Sequence, residues 1–188
     1  MNIIEEIKKE VYRRCSLPSN HFGMECYYHI EKVAYHSGEL AGKYGVDKEL
    51  CELAGWLHDI ASITDFKLYP EHHVHGTKIA EALLTDYGYP KEKIETIKKC
   101  ILTHRGSTNT QCNSLEERCV ADADAISHFD NIPSLFYLVY SERKMNEAEG
   151  KEYVKGKLQR SFNKMSEESK EHYRMKKETV DCIFSFST

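Results

Sequence analysis

Apolar residues recur at intervals of three and four along almost the whole chain, and this spacing is typical of amphipathic helices. The first segment shows it with Ile3, Ile4, Ile7 and Val11. The alternating pattern of β-strands is absent from the sequence, and only 4 prolines and 10 glycines interrupt its 188 residues. The pattern therefore predicts an all-α protein built as a helical bundle.

Capping residues and breaks divide the sequence into successive helices. Gly45 is placed to end one helix, Asp47 to cap the next, and Ser114 with Glu117 has the spacing of a capping box. Pro133 suits the first turn of a later helix. Helices are expected at about 2–15, 21–44, 48–59, 71–87 and 91–104. Two further helices are expected to begin at about 115 and 133, and two more to lie within 148–186. Loops are expected at 61–70 and 106–113.

The length and composition indicate one globular unit. A chain of 188 residues can bury a core, and no linker, repeat or low-complexity segment divides it, so we expect a single domain over 1–188. The lysine-rich segment after residue 148 is interpreted as a solvated helix face.

Several classes of partner are disfavoured. The net charge is −4 with no basic block, so binding of a nucleic-acid polymer is not expected, and no apolar run approaches the ~18 residues of a membrane span. The first residues lack the features of a secretory signal, and the seven scattered cysteines form no C-x-x-C pair. These observations predict a cytoplasmic location with reduced thiols.

An adjacent histidine and aspartate, His58-Asp59, directly follow the apolar run from Leu53 to Leu57. Imidazole and carboxylate are both ligands of divalent transition metals, and a carboxylate at the edge of a core needs a partner or a metal. The alternative is a helix end in which the aspartate is hydrogen-bonded and the histidine is packed. The other residues of ligand type are His29, His36, His72, His73, His75, His104, Asp122 and Asp124, of which His73 is interpreted as polar surface.

The order of these residues resembles that of the HD superfamily of metal-dependent phosphohydrolases. The resemblance covers about residues 20–130 and implies a helical HD-domain core, on which the N-terminal helix and the helices of 132–186 would pack. The motifs that carry it are His29 followed by Val33, His58-Asp59, His72 followed by Gly76, His104-Arg105-Gly106 and Ala121-Asp122-Ala123-Asp124.

The resemblance also implies a ligand set. His29, His58, Asp59 and Asp124 would hold the primary metal, while His72 and His104 would hold a second ion bridged by Asp59. His75 shares a helix face with His72 and is an alternative ligand, and the roles of Asp122 and His36 are left open. The set suits one or two divalent ions of Mn, Fe, Co, Ni or Zn.

Such ions lower the pKa of bound water, so that water can attack phosphorus, and a pair of ions stabilises both attacking and leaving oxygens. Asp59 would orient the nucleophile. Arg105 is expected to contact phosphate through its planar guanidinium, although the helix dipole alone would favour it there, and Lys67 is a weaker candidate. The expected substrate is a small phosphorylated metabolite, with a nucleotide as the preferred class.

The sequence departs from two branches of the superfamily. Ile60-Ala61-Ser62 stands where cyclic-dinucleotide phosphodiesterases have Ile-Gly-Lys, and Asp124-Ala125-Ile126-Ser127 lacks the basic residue and third acid of many small members. Two other functions compete with hydrolysis: a di-iron oxygenase on the same scaffold, and a non-catalytic metal-binding regulatory module. Homo-oligomer formation is left open.

Overall fold

The protein is described by a computed structural model over residues 2–105 and 112–185. Within that part it contains helices and no β-strand, so the predicted all-α fold is confirmed. Two short segments that join α-helices have other helical types: Phe66–Glu71 is a 3₁₀ turn, which is wound more tightly than an α-helix, and Leu138–Glu142 is a π-helical turn, which is wound more widely. The α-helices are α1 (Ile3–Cys15), α2 (Glu25–Tyr44), α3 (Lys48–Leu57), α4 (Ile60–Thr64), α5 (His72–Asp86), α6 (Lys91–Thr103), α7 (Leu115–Asp130), α8 (Ile132–Tyr137), α9 (Glu147–Lys164) and α10 (Glu167–Ser185).

The second helix begins later than the predicted residue 21, because the side chain of Asn20 organises a turn before it. The Asn20 amide donates to the carbonyls of Cys15 and Gly23, at 2.8 and 3.0 Å, and its oxygen accepts from the backbone N–H of Phe22. At the other end of α2, Gly45 has φ +71° and closes the helix in the left-handed region, as predicted.

The predicted loop at 61–70 is wrong, since α4 and the 3₁₀ turn occupy this segment. Ile60 and Ile63 are buried, and their packing stabilises a helical turn that Thr64 and Asp65 do not favour locally. Asp65 instead caps the 3₁₀ turn by accepting from Lys67 N–H at 2.9 Å. The predicted loop at 106–113 lies mostly outside the described residues.

The helix caps agree in part with the sequence. Asp47 accepts from Leu50 N–H at 3.0 Å, and Ser114 accepts from Glu117 N–H at 3.2 Å. The Glu117 carboxylate, however, accepts from Asn113 N–H rather than from Ser114 N–H. The predicted capping box is therefore formed on one side only.

Helix α7 connects two buried apolar clusters. Its first half packs against α2, α3 and α6 in a cluster that α1 and α5 also join, where Ile30, Leu53 and Ile101 are fully buried. Its second half packs with α8, α9 and α10, where Val139 and Val154 are fully buried. Each buried side chain of this size stabilises the fold by about 1.5–3 kcal/mol, so α7 is held from both sides.

Helices α2 and α3 approach each other closely at Gly55. A Cβ added there would lie 2.6 Å from the Cα of Ala34 and 2.9 Å from the Oγ of Ser37. Both distances are below van der Waals contact, so glycine permits this spacing. The contact fixes the distance between the middle of α2 and the end of α3.

Asp122 ties α10 to α7. Its buried carboxylate accepts from Ser166 N–H at 2.8 Å, from Ser166 Oγ at 2.5 Å and from Ser169 Oγ at 2.6 Å. These donors lie at the start of α10, where backbone N–H groups lack intrahelical partners. Among the helices described, none has the combined length and apolar character that crossing a bilayer requires.

Candidate metal centre

His58 lies where α3 ends, and its side chain is fully buried. Its Nδ1 donates to the carbonyl of Gly55 at 2.7 Å, which fixes the neutral tautomer with the lone pair on Nε2. That Nε2 atom is buried and has no hydrogen-bond partner among the residues described. A buried acceptor without a partner is unfavourable, and a bound cation would satisfy it.

His72 and His104 face each other from the start of α5 and the end of α6. Their Nδ1 atoms donate to the carbonyls of Tyr69 and Ile101, at 2.8 and 2.6 Å. Their Nε2 atoms therefore carry lone pairs in the neutral tautomers, and these two atoms are only 3.2 Å apart. Two facing lone pairs repel unless a cation lies between or beside them, so this pair fits a metal ion.

His29 on α2 is oriented by α7. The Ser127 hydroxyl donates to the Asp124 carbonyl at 2.7 Å and so accepts from His29 Nδ1, 3.0 Å away. This arrangement leaves His29 Nε2 as an acceptor, 3.3 Å from Asp124 Oδ1. Metal-binding histidines commonly donate their other ring N–H to a fixed oxygen in this way.

Asp59 joins these histidines into one site. Its carboxylate oxygens lie 3.6 Å from His58 Nε2 and 3.4 Å from His72 Nε2. Potential ligand atoms lie within 4.8 Å of one another in the set His29, His58 and Asp59, and again in the set Asp59, His72 and His104. We name the six residues the His/Asp centre: His29, His58, Asp59, His72, His104 and Asp124.

The protonation states suit metal binding. Burial lowers the pKa of His58 and lowers that of His104 well below its usual range, which keeps both rings neutral. Burial raises the pKa of Asp59, but the surrounding side chains of His58, His72, His104 and His29 together lower it. Neutral imidazoles and ionised carboxylates are the forms that bind metals.

Asp124 has two different contacts on its two oxygens. Oδ1 faces His29 and lies 4.0 Å from His58 Nε2, while Oδ2 accepts a hydrogen bond from Lys164 Nζ. Burial raises the pKa of Asp124, but Lys164 together with His128, His29 and Lys157 lowers the pKa well below the usual range. Lys164 also donates to the carbonyl of His104 at 3.0 Å.

His128 is an additional buried histidine at this site that the sequence did not single out. It follows Asp124 by one turn of α7, and its Nδ1 is 3.8 Å from Asp124 Oδ1. His29, Asp124 and His128 form a third set with ligand atoms within 4.8 Å. The spacing of four residues from Asp124 was the available signal, since such residues share a helix face.

Four residues left open by the sequence lie away from the His/Asp centre. His36 Nε2 is 2.8 Å from Asp130 Oδ2, and Asp122 holds α10. His75 belongs to none of the potential ligand sets found in the described chain, and Lys67 does not line the cavity in front of the centre. His72, rather than His75, therefore adjoins Asp59.

A cavity of about 600 Å³ opens onto the His/Asp centre. Arg105 lines it and donates to the carbonyl of Pro70. Four further basic residues from the C-terminal segment line it: Arg143, Lys157, Arg160 and Lys164.

The interpretation of the C-terminal lysines as a purely solvated face is thus wrong for Lys157 and Lys164. These residues and Arg160 repeat at intervals of three and four on α9, which places them on one helix face. Val154 and Leu158 pack the neighbouring face into the second apolar cluster. That packing turns the basic face of α9 toward the cavity.

Comparison with known proteins identifies the family of this chain. The HD domain family matches residues 26–128, more than half of the chain. Ribonuclease Y of Clostridium kluyveri is 33% identical over 106 residues, and ribonuclease Y of Clostridium tetani is 30% identical over 106 residues. Each match covers 56% of this chain but 19% and 18% of those proteins, so the chain spans about a fifth of their length.

Solved structures share the fold over nearly the whole chain. Bacillus subtilis YpgQ has a TM-score of 0.68 with 17% identity, covering 97% of this chain and 91% of that one. The structure of the same protein in complex with ADP has a TM-score of 0.66 with 18% identity, at 96% and 93% coverage. A predicted HD superfamily hydrolase from an uncultured Thermotogales bacterium has a TM-score of 0.56 with 20% identity, at 97% and 90% coverage.

Proposed function

Because the chain belongs to the HD domain family, we propose that its His/Asp centre is the active site of a metal-dependent phosphohydrolase. The observation that carries the proposal is the set of imidazole Nε2 atoms converging on Asp59, each held by a hydrogen bond at its Nδ1 atom. This donor set of nitrogen and carboxylate oxygen suits divalent first-row transition metals.

In this proposal, His29, His58, Asp59 and Asp124 would hold a first ion, and Asp59, His72 and His104 would hold a second. The 3.2 Å approach of His72 Nε2 to His104 Nε2 favours this pairing. When bound, divalent ions lower the pKa of water and offset the charge that develops on phosphoryl oxygens.

The protein side chains have separate roles. Asp59 accepts a hydrogen bond from Ser62 Oγ at 3.0 Å, which orients its carboxylate toward an attacking water. Arg105, at the end of α6, reaches the cavity and contacts the substrate phosphate. Lys164 fixes Asp124 Oδ2, so that Oδ1 faces the histidines.

The proposed substrate is a small phosphorylated metabolite, and a nucleotide is the preferred class. The cavity of about 600 Å³ is of the size that ligand pockets of this kind have, and Phe22, Tyr69 and Tyr153 give it aromatic walls for a base. The ADP complex of YpgQ supports this choice, as a nucleotide bound to a protein of the same fold.

A second candidate substrate is an RNA phosphodiester, which the 33% identity to ribonuclease Y favours. The matched segment is about a fifth of that protein, so the rest of that protein has no counterpart in the comparison. The substrate screen must therefore include a short RNA oligonucleotide.

The test combines metal analysis with a hydrolysis screen. Nucleoside mono-, di- and triphosphates and the RNA oligonucleotide are incubated with Mn, Co, Ni, Fe or Zn, using the wild type, Asp59→Ala and His36→Asn. We expect bound metal and turnover in the wild type, loss of both in Asp59→Ala, and retention of both in His36→Asn, because His36 pairs with Asp130 instead.

Turnover that survives in Asp59→Ala would refute the mechanism. A bound iron pair that consumes O₂ would indicate the oxygenase alternative. Bound metal without turnover on any phosphorylated compound would indicate the regulatory alternative.

A further inference from the structure

We propose that Arg143, Lys157 and Arg160, here named the basic wall, form an anion subsite for a phosphate group other than the one that reacts. The inference rests on the proposed function, because it assigns a substrate class to the same cavity. The subsite favours substrates that carry two or more phosphate groups over phosphate monoesters.

The basic wall comes from outside the segment that defines the family. The family match ends at residue 128, whereas these three residues lie between 143 and 160. The subsite is therefore built by the C-terminal helices of this chain, and it meets the His/Asp centre only because α9 packs against α7.

The three cations lack carboxylate partners. Nearby cations are paired: Lys164 with Asp124, Lys170 with Glu167, and Arg174 with Glu171. Within residues 2–105 and 112–185, by contrast, no ion pair involves the basic wall. Three unpaired cations around one cavity repel each other and create a positive potential that attracts an anion.

Two tyrosines fix the position of Arg143. Its guanidinium lies 4.7 Å from the ring centroid of Tyr153 and hydrogen-bonds the side chain of Tyr69, so it is held at the cavity. Lys157 is half-buried and lines the cavity from the same face of α9 as Lys164, whose Nζ contacts Asp124. Its charge therefore lies beside the His/Asp centre.

The charge of the whole cavity favours more than one phosphate. Five basic side chains and three carboxylates (Glu25, Asp59 and Asp124) line it, an excess of two positive charges before any metal binds. A divalent ion raises this excess, whereas a phosphate monoester carries only about two negative charges. A second or third phosphate supplies the remaining negative charge.

The test separates this subsite from the chemistry. Turnover of AMP, ADP and ATP is compared for the metal-loaded wild type, Lys157→Gln/Arg160→Gln and Lys155→Gln. Lys155 is the matched control, because it lies on the exposed side of the same helix and does not line the cavity. Binding of inorganic triphosphate and of inorganic phosphate to the metal-free full chain is measured in parallel by calorimetry.

We expect the double variant to lower the ratio of kcat/KM for ATP to that for AMP tenfold or more, and to weaken triphosphate binding by a similar factor. Such a loss matches the removal of charge-assisted hydrogen bonds to phosphate. Lys155→Gln should change neither quantity by more than about twofold, as expected for an exposed charge.

The two proposals fail in different ways. Equal losses for AMP and ATP, or equal effects of Lys155→Gln and the double variant, overturn the subsite while the hydrolase stands. Triphosphate binding that depends on Lys157 and Arg160, in a protein that hydrolyses no phosphate compound, supports the subsite and overturns the hydrolase.

Discussion

Lys164 Nζ donates a hydrogen bond to Asp124 Oδ2, which joins the last residue of α9 to a carboxylate of the His/Asp centre. The two side chains are 14% and 10% exposed, so the pair is largely shielded from water. The C-terminal helices thus contribute directly to the electrostatics of a centre whose six residues all lie before residue 128.

Replacing Lys164 should destabilise the metal-free protein. Lys164→Met leaves the Asp124 carboxylate buried beside neutral histidines, and breaking such a pair costs about 3–5 kcal/mol. This loss of stability should be smaller when a divalent ion is added, because the ion restores positive charge at Asp124. Urea unfolding with EDTA and with Mn measures both effects, and Lys155→Met is the control for loss of an exposed lysine. Equal stability of Lys164→Met and wild type in EDTA would contradict the expected role.

Removing His72 should empty one of two metal positions. The wild type is expected to bind two ions per chain and His72→Ala one, because Asp59 and His104 alone leave the second set with too few ligands. His75→Ala should keep two, since His75 is absent from the potential ligand sets of the described chain. Metal content after desalting gives the count. A wild-type stoichiometry of one, or an unchanged count in His72→Ala, would exclude the two-ion arrangement.

Asp122→Ala should reduce stability and spare metal binding. The substitution leaves three donors at the start of α10 without their acceptor, which we expect to cost about 2–3 kcal/mol. Bound metal should match the wild type, whereas Asp124→Ala should lose it. Thermal unfolding and metal analysis on both variants test the distinction. Loss of metal from a folded Asp122→Ala protein would place this residue in the centre instead.

Glu10 should make stability depend on acid pH. Hydrogen bonds from Arg13 oppose its burial and lower the pKa of Glu10 to about 2 in the folded protein, from about 4.5. Its stabilising contribution is therefore complete above pH 4.5 and is lost as the pH falls toward 2.

We expect Glu10→Gln to remove about 1 kcal/mol at pH 7 and little near pH 2, after allowing for solvent screening of a partly exposed pair. Glu5→Gln is the control, as an exposed acid on the same helix. Urea midpoints at several pH values give the comparison. A difference between wild type and Glu10→Gln that stays constant down to pH 2 would show that charge is not its origin.

The sequence predicted those features that depend on residue type and helical periodicity. The helix succession follows from the spacing of apolar residues, and the six residues of the His/Asp centre are brought together as the resemblance implied, although their roles as ligands remain predictions. The resemblance also favoured Asp124 over Asp122 as the residue of the centre, and the two side chains do face different neighbours. Residues two apart on a helix point about 200° from each other, so one faces α10 and the other faces the histidines.

Features set by packing between distant segments could not be predicted. The segment 61–70 carries local loop signals, yet burial of Ile60 and Ile63 makes it helical. Whether Lys157 meets solvent or the cavity depends on how α9 rotates against α7, and its local sequence is compatible with both. Arg143 reaches the same cavity only through the turn that precedes α9.

Gly55 has two separate structural roles. Its missing side chain lets α3 touch α2, and its carbonyl receives the Nδ1 proton of His58. A single extra methyl group there would wedge the two helices apart and carry His58 away from His29, though neither histidine had been altered. Loss of activity in a natural variant could therefore originate at a position that offers no reactive atom at all.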